Sequence, residues 1–309
     1  MYEKTAMMFI YVETPLHAGS GRGLGAVDLP IQRERITGYP IIQASSVKGK
    51  LRAEVRAANG WRDDNPEIEA LFGKAGDAGD NFAGAIAPGD ARILLFPVRS
   101  LAGVFAWTTC LHVLQRFARD CALAGITPPA LADLSSPSPG HALIGNASAL
   151  RAGDVVVLEE FSYAPKEEQK VTELGTWLAQ HALPSGYTYW QSVLPKKLII
   201  LPDDDFRDFA LYATEVQTHV RLNPDTKTVQ TGALWTTESL PTDTLLYAPL
   251  MLMKPRQPRE DQQAKDKNVD HVLTTVTSAL DGKHVQFGGD ETTGQGWVVV
   301  KFAFAGGRS

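Results

Sequence analysis

Two cysteines in 309 residues are too few to build a disulfide framework. Cys110 and Cys121 lie eleven positions apart in a stretch with helical periodicity, three turns along, which is beyond disulfide reach. They read as buried thiols in a reducing compartment. Long apolar runs are missing too. None approaches the roughly 20 residues that span a bilayer, so no membrane partner is expected. The opening MYEKTAMMFIYVE carries Glu3 and Lys4 and no small-residue cleavage site behind an apolar core. That argues against a secretory signal and for a cytoplasmic location. Positive charge is not in excess. Lys and Arg number 30 against 35 Asp and Glu, for a net charge of −5 and a pI near 5.8. A general nucleic-acid coat is thereby excluded, but a local basic groove is not. No Cys/His set has zinc spacing, no GxSxG elbow occurs, and no Gly-Lys-Ser/Thr closes a phosphate loop.

What is present concentrates in residues 16–56, LHAGSGRGLGAVDLPIQRERITGYPIIQASSVKGKLRAEVR. From His17 to Arg56, seven basic residues face three acids, a local balance of +4. The remainder of the chain therefore sums to −9. One stretch of an acidic protein is attractive to an anion.

The pattern along the chain predicts strands at 5–13, 91–100, 154–158, 198–202 and 244–254. Helices are predicted at 109–124, 167–182, 204–213 and 268–280, with Leu111, Leu114, Phe117 and Cys121 facing inward in the first. Val47, Leu51 and Val55 recur at i, i+4 and i+8, a short amphipathic helix with Ser45 available as N-cap. Asp203 is the N-cap expected for the helix at 204–213. Residues 73–90 and 254–267 read as loops, and two extended runs around Asn223-Pro224-Asp225-Thr226 read as a hairpin. The last strands, at VQF and WVVVKFAF, bracket a glycine loop. Irregular alternation with hairpins favours an α+β fold over a doubly wound parallel sheet.

Several residues have types suited to RNA chemistry. The AGSGRGLG loop, with Gly19, Gly21, Gly23 and Arg22, allows close backbone approach to a phosphate chain. The GGDETTGQGW loop, with Gly288, Gly289, Gly294 and Gly296, could form a second wall of amides. Ser45 and Ser46 open a helix whose N-terminus suits an anion, and Lys48, Lys50 and Arg52 add cations. Asp28 is either a turn former or a carboxylate that holds a divalent ion or orients a ribose 2′-hydroxyl. His17 is a structural histidine or an acid/base group.

Taken together, LHAGSGRGLGAVDLPIQRE, GYPIIQASSVKGKLR, the NPDTKTVQTGALWTTESLP hairpin and GGDETTGQGW resemble the RAMP superfamily of CRISPR effector proteins. Within it, the chain is similar to the repeated backbone subunit of the type III-B (Cmr) complex. The resemblance implies one RAMP domain over 1–309, a modified RRM, ferredoxin-like palm. It also implies helical fingers inserted at about 57–150 and a β-hairpin thumb at about 203–245. It implies a head-to-tail filament on CRISPR RNA (crRNA), assembled with the other Cmr subunits. Complementary target RNA would be cut at six-nucleotide intervals by a metal-dependent (Mg2+ or Mn2+) endoribonuclease activity. By motif position, the metal-holding catalytic residue is Asp28, with His17 beside it and Glu238 as a further acid. Lys48, Lys50 and Arg52 correspond to the guide-binding cations. Two other roles fit the same resemblance: a non-catalytic filament subunit, and a stand-alone crRNA-processing endoribonuclease. The last normally needs a second acid/base residue, and among seven histidines only His17 lies in a motif.

Overall fold

A computed structural model describes residues 2–23, 25–74, 82–129, 131, 133–255 and 268–306. The first strand, β1 (Lys4–Val12), is a run of apolar residues buried almost throughout, as a central strand requires. It leads through a long loop to β2 (Ile41–Ile42), α1 (Ala44–Ala58) and α2 (Pro66–Phe72). Strands β3 (Ile86–Pro88), β4 (Ala91–Arg99) and β5 (Phe105–Cys110) follow, then α3 (Leu111–Leu123). Next come β6 (His141–Ile144), β7 (Arg151–Ala152), β8 (Val155–Leu158), β9 (Phe161–Glu167), α4 (Gln169–Ala182) and α5 (Thr188–Lys197). After β10 (Leu198–Leu201) and α6 (Asp203–Tyr212), strands β11 (Glu215–Leu222) and β12 (Val229–Ser239) form a separate two-stranded ribbon. The chain closes with β13 (Leu245–Leu252), α7 (Val269–Leu280), β14 (Lys283–Gln286) and β15 (Trp297–Ala303).

Four of these strands lie in the order β15-β1-β13-β4, every neighbouring pair antiparallel. Helix α1 sits between β1 and β4 in sequence, and α7 between β13 and β15. Both helices pack together over this group. That connectivity is the ferredoxin-like βαββαβ palm the resemblance implies. The sheet continues past β4 through β5, β10, β6, β9, β8 and β7. So the segment between β4 and β13 is an insertion that extends the palm's sheet and projects the β11–β12 ribbon.

The packing follows the pattern. Val47, Leu51 and Val55 of α1 are buried, as are Val269, Val272, Val276 and Leu280 of α7. Cys110 and Cys121 are buried free thiols, and burial raises both to about 12. No helix among the described residues is long and apolar enough to cross a membrane.

Several sequence expectations change. Palm strand β4 lies inside the 57–150 segment assigned to the fingers, so that segment is not one unit. The stretch at 109–124 is a strand ending at Cys110 that runs into a helix without a break, because no Gly or Pro separates two apolar runs. In that helix Val113 is buried and Leu111 only partly so. Strands β6 and β9 and helix α5 carry too little periodicity to announce themselves. The 73–90 loop contains β3, while its residues 75–81, and 256–267 of the second predicted loop, lie outside the described residues.

Two caps also move. Ser45 lies inside α1, whose N-cap is Gln43, and the Ala44 N–H is taken by the Asp90 carboxylate at 2.8 Å. Asp203 is the first residue of α6, not its cap, and its carboxylate accepts from the His112 N–H at the start of α3.

Candidate functional site

The long loop after β1 folds back on itself and onto the base of the ribbon. Ser20 N–H donates to Pro30 O at 3.0 Å, and Gln32 N–H to Ala18 O at 2.7 Å. The returning limb then pairs with β12: Leu29 N–H reaches Thr236 O, and Glu238 N–H reaches Leu29 O, each at 3.0 Å. Leu16 and Leu240 exchange backbone bonds at 2.9 Å. The glycine loop is thus stitched to the root of a hairpin more than 200 positions away.

Asp28 sits at the exposed start of that returning limb. Its backbone N–H donates to Thr236 Oγ1 at 3.0 Å. Its Oδ2 accepts from Thr236 N–H at 2.8 Å and from the Thr236 hydroxyl at 2.9 Å. These bonds, the backbone one first, hold the carboxyl below the usual Asp range, with Arg22 contributing. A carboxylate held in its charged form is a poor proton acceptor and a good ligand for a cation. Among the described residues, no three His, Cys, Asp or Glu side chains form a metal cage. Asp28 offers a single carboxylate, whose Oδ2 is bonded to Thr236. That suits Mg2+, which is commonly held by one or two carboxylates, water and substrate phosphates.

His17 lies on the neighbouring part of the hairpin root. Its Nδ1 is 2.6 Å from the main-chain oxygen of Glu238, an acceptor, so Nδ1 carries the proton. In the neutral ring Nε2 then keeps the lone pair. Thr236 and Glu238 are two residues apart on β12, about 7 Å along the strand. The strand therefore holds the Asp28 carboxylate and the His17 ring at adjacent points.

Both glycine loops meet at this histidine. Gly289 N–H donates to His17 O at 2.9 Å. Gly288, at φ +80°, lies so close that a Cβ would meet that same oxygen at 2.3 Å. A Cβ on Gly19 would lie 2.6 Å from Nε2. The glycines therefore serve a close approach around His17 more than a phosphate cradle. The N–H groups of Gly23, Gly289, Gly294 and Gly296 are donated to Asp28 O, His17 O, Glu291 O and Pro15 O, so the expected amide walls are largely spent inside the fold. Gly21 remains open, with nothing within 4 Å of a built Cβ, and Arg22 beside it is exposed.

Glu238 has a different position from the catalytic acid expected of it. Only 8% of its side chain is exposed. Its carboxylate accepts from Arg33 Nη2 at 2.5 Å, Thr214 Oγ1 at 2.8 Å and Ile31 N–H at 3.0 Å. Arg33 also donates to the Gly38 and Ala210 carbonyls, each at 2.9 Å. Through these bonds Glu238 and Arg33 clamp the loop, α6 and the hairpin together.

The basic helix divides in the same way. Arg52 donates to the carbonyls of Gly73 at 2.7 Å and Asp63 at 3.2 Å, and Lys50 pairs with Glu54 at 2.7 Å. Both are spent on the fold. Lys48 makes no ion pair among the described residues, and burial, with Arg52 nearby, lowers its pKa. Ser45 and Ser46 are exposed at the same helix start. Ser45, Ser46 and Lys48 are thus the part of the motif still available to a phosphate.

Sequence reasoning passed over Thr236 and Gln32. Gln32 donates to Gly19 O at 3.0 Å and accepts from Gln43 N–H at 2.8 Å, tying the glycine loop to the start of α1. Neither has a local signal, since their partners are set by tertiary contact.

The ribbon carries Val216, Val220, Leu222, Val229 and Leu234, all exposed. Val220 pairs with Leu234, so those two side chains share a face, and beyond a register shift Leu222 pairs with Val229. On the other face His219 stacks on Trp235 at 5.4 Å. Gln217, near the ribbon's root, accepts from Gln295 of the C-terminal loop at 3.3 Å.

Known proteins are similar to this chain in sequence and fold. The CRISPR system Cmr endoribonuclease Cmr4 of Pyrococcus furiosus is 37% identical over 303 residues, covering 96% of this chain and 95% of that one. A crystal structure of oligomeric Cmr4 from Pyrococcus furiosus superposes with a TM-score of 0.73 at 29% identity, over 98% and 99% of the two chains. A chain of the type III-B Cmr-beta complex bound to cognate target RNA matches with a TM-score of 0.71, over 97% and 98%. At 21% identity that last likeness is one of fold. Residues 9–299 match the RAMP superfamily, and with palm, ribbon and glycine loops all in place the chain belongs to that family.

Proposed function

We propose that this chain is a backbone subunit of a type III-B CRISPR effector complex that binds crRNA, associates head-to-tail with copies of itself, and cleaves complementary target RNA. The observation that carries the reading is the joining of Asp28 and His17 to the root of the exposed hairpin. A target strand parted by that hairpin is delivered to both side chains. The end-to-end similarity to an endoribonuclease supports the same reading.

In the proposed reaction the ribose 2′-oxygen bonds to the adjacent phosphorus and the bond to the 5′-oxygen breaks. His17 Nε2 would take the 2′-hydroxyl proton, and the departing 5′-oxygen would take one from solvent water. The Asp28 carboxylate would hold a divalent ion, Mg2+ or Mn2+, jointly with RNA phosphate oxygens. When bound, that ion would neutralise charge developing on the phosphate. Lys48, Ser45 and Ser46 grip the guide's backbone, and sequence is read by pairing with the guide, as in other RNA-guided effectors.

The test is reconstitution with a guide and a labelled complementary RNA. Asp28→Ala should abolish cleavage at six-nucleotide spacing while target binding persists. Unchanged cleavage would point instead to a filament subunit with no catalytic role.

A further inference from the structure

We propose that Thr236, on the hairpin, is the positioning residue for Asp28, so that the carboxylate's orientation belongs to the hairpin as much as to the loop that carries it. The inference rests on the reading of Asp28 as the residue serving cleavage.

Three bonds join the two residues, and the threonine hydroxyl takes part in two of them. It accepts from Asp28 N–H at 3.0 Å and donates to Asp28 Oδ2 at 2.9 Å. The Thr236 N–H supplies the third bond, also to Oδ2, at 2.8 Å. A hydroxyl is well suited to this site because it donates and accepts at once. Two bonds to Oδ2 hold the carboxylate in one orientation. Asp28 is otherwise exposed, and Gly25, three residues before it, meets nothing within 4 Å of a built Cβ. An exposed aspartate on such a loop would sample several rotamers, and the hydrogen bonds to Thr236 select one. The same limb is bonded to β12 at Leu29, so any shift of the hairpin root carries Asp28 with it.

The experiment uses complexes reconstituted with guide RNA and carrying Thr236→Val, Thr236→Ser or Asp28→Ala. Thr236→Val keeps the β-branched shape and removes only the hydroxyl. Single-turnover cleavage should slow by about tenfold or more, as misplacement of a reacting group does, with target affinity unchanged. Thr236→Ser should recover most of the rate. A purely structural role would show as lost assembly or lost target affinity, and not as a slowed rate that serine restores. If Thr236→Val does not assemble, Thr236→Ala supplies the same hydroxyl deletion. Parental rates in the hydroxyl-free variants, or a serine variant as slow as valine, would overturn the inference. If Asp28→Ala is inactive in that case, only the positioning role is lost. If Asp28→Ala still cleaves, the reading of Asp28 itself fails.

Discussion

At the scale of single residues, the clearest case is Glu238, whose carboxylate ends in a protein network of three donors. Replacing it with alanine strands the half-buried Arg33 guanidinium and frees the Ile31 N–H. Breaking a buried pair by removing one partner costs about 3–5 kcal/mol. Glu238→Ala should therefore lower the urea midpoint of the isolated chain by a corresponding amount. A variant as stable as the parent would return Glu238 to consideration as a reacting group. Asp28 is the opposite case, exposed and held by one residue, so its removal should be felt in cleavage and hardly in stability. Residue type alone could not separate the two acids. Both are carboxylates in the motifs that carry the family resemblance, and only their partners decide which one faces solvent.

At the scale of elements, the β11–β12 ribbon is the feature most unlike a core element. Val220 is 47% exposed and Leu234 64% exposed, paired across the ribbon with nothing described above them. Substituting both with serine should change the chain's stability by no more than about 0.5 kcal/mol, as surface changes do. The guide-loaded assembly should nevertheless capture or cleave its target less well. Melting curves and cleavage assays on the same preparation would separate those outcomes, and unaltered cleavage would show that this face does not touch RNA. The hairpin was legible in sequence because its Asn-Pro-Asp-Thr turn is a local signal. Helix α1 was legible through its apolar spacing, but its cap was not. Asp90 arrives from the β3–β4 turn, 46 positions away, and no pattern within the helix announces it.

At the scale of the whole molecule, the charge distribution sets how the chain meets RNA. The 17–56 window has a +4 balance, yet of the three cations in the SSVKGKLR segment Arg52 and Lys50 are engaged by the fold, and Lys48 makes no ion pair among the described residues. Lys48→Ala should weaken guide binding and flatten its salt dependence by about one unit of slope, the signature of one lost phosphate contact. Arg52→Ala should act mainly through stability, because its bonds end on the Gly73 and Asp63 carbonyls. Binding titrations at several salt concentrations, beside thermal melts, distinguish the two. A Lys48→Ala slope equal to the parent's would place the guide on another face.

The amino-acid sequence by itself determined the α+β class, the amphipathic helices, the hairpin and the family motifs. Each is written in short-range spacing and residue type, so local physics suffices to read it. Tertiary structure decided which members of those motifs are free to act. It joined Asp28 to Thr236 across 208 positions, closed both glycine loops around His17, and buried Glu238 in a clamp. Those outcomes depend on hydrogen-bond partners brought together by folding, which no local spacing encodes.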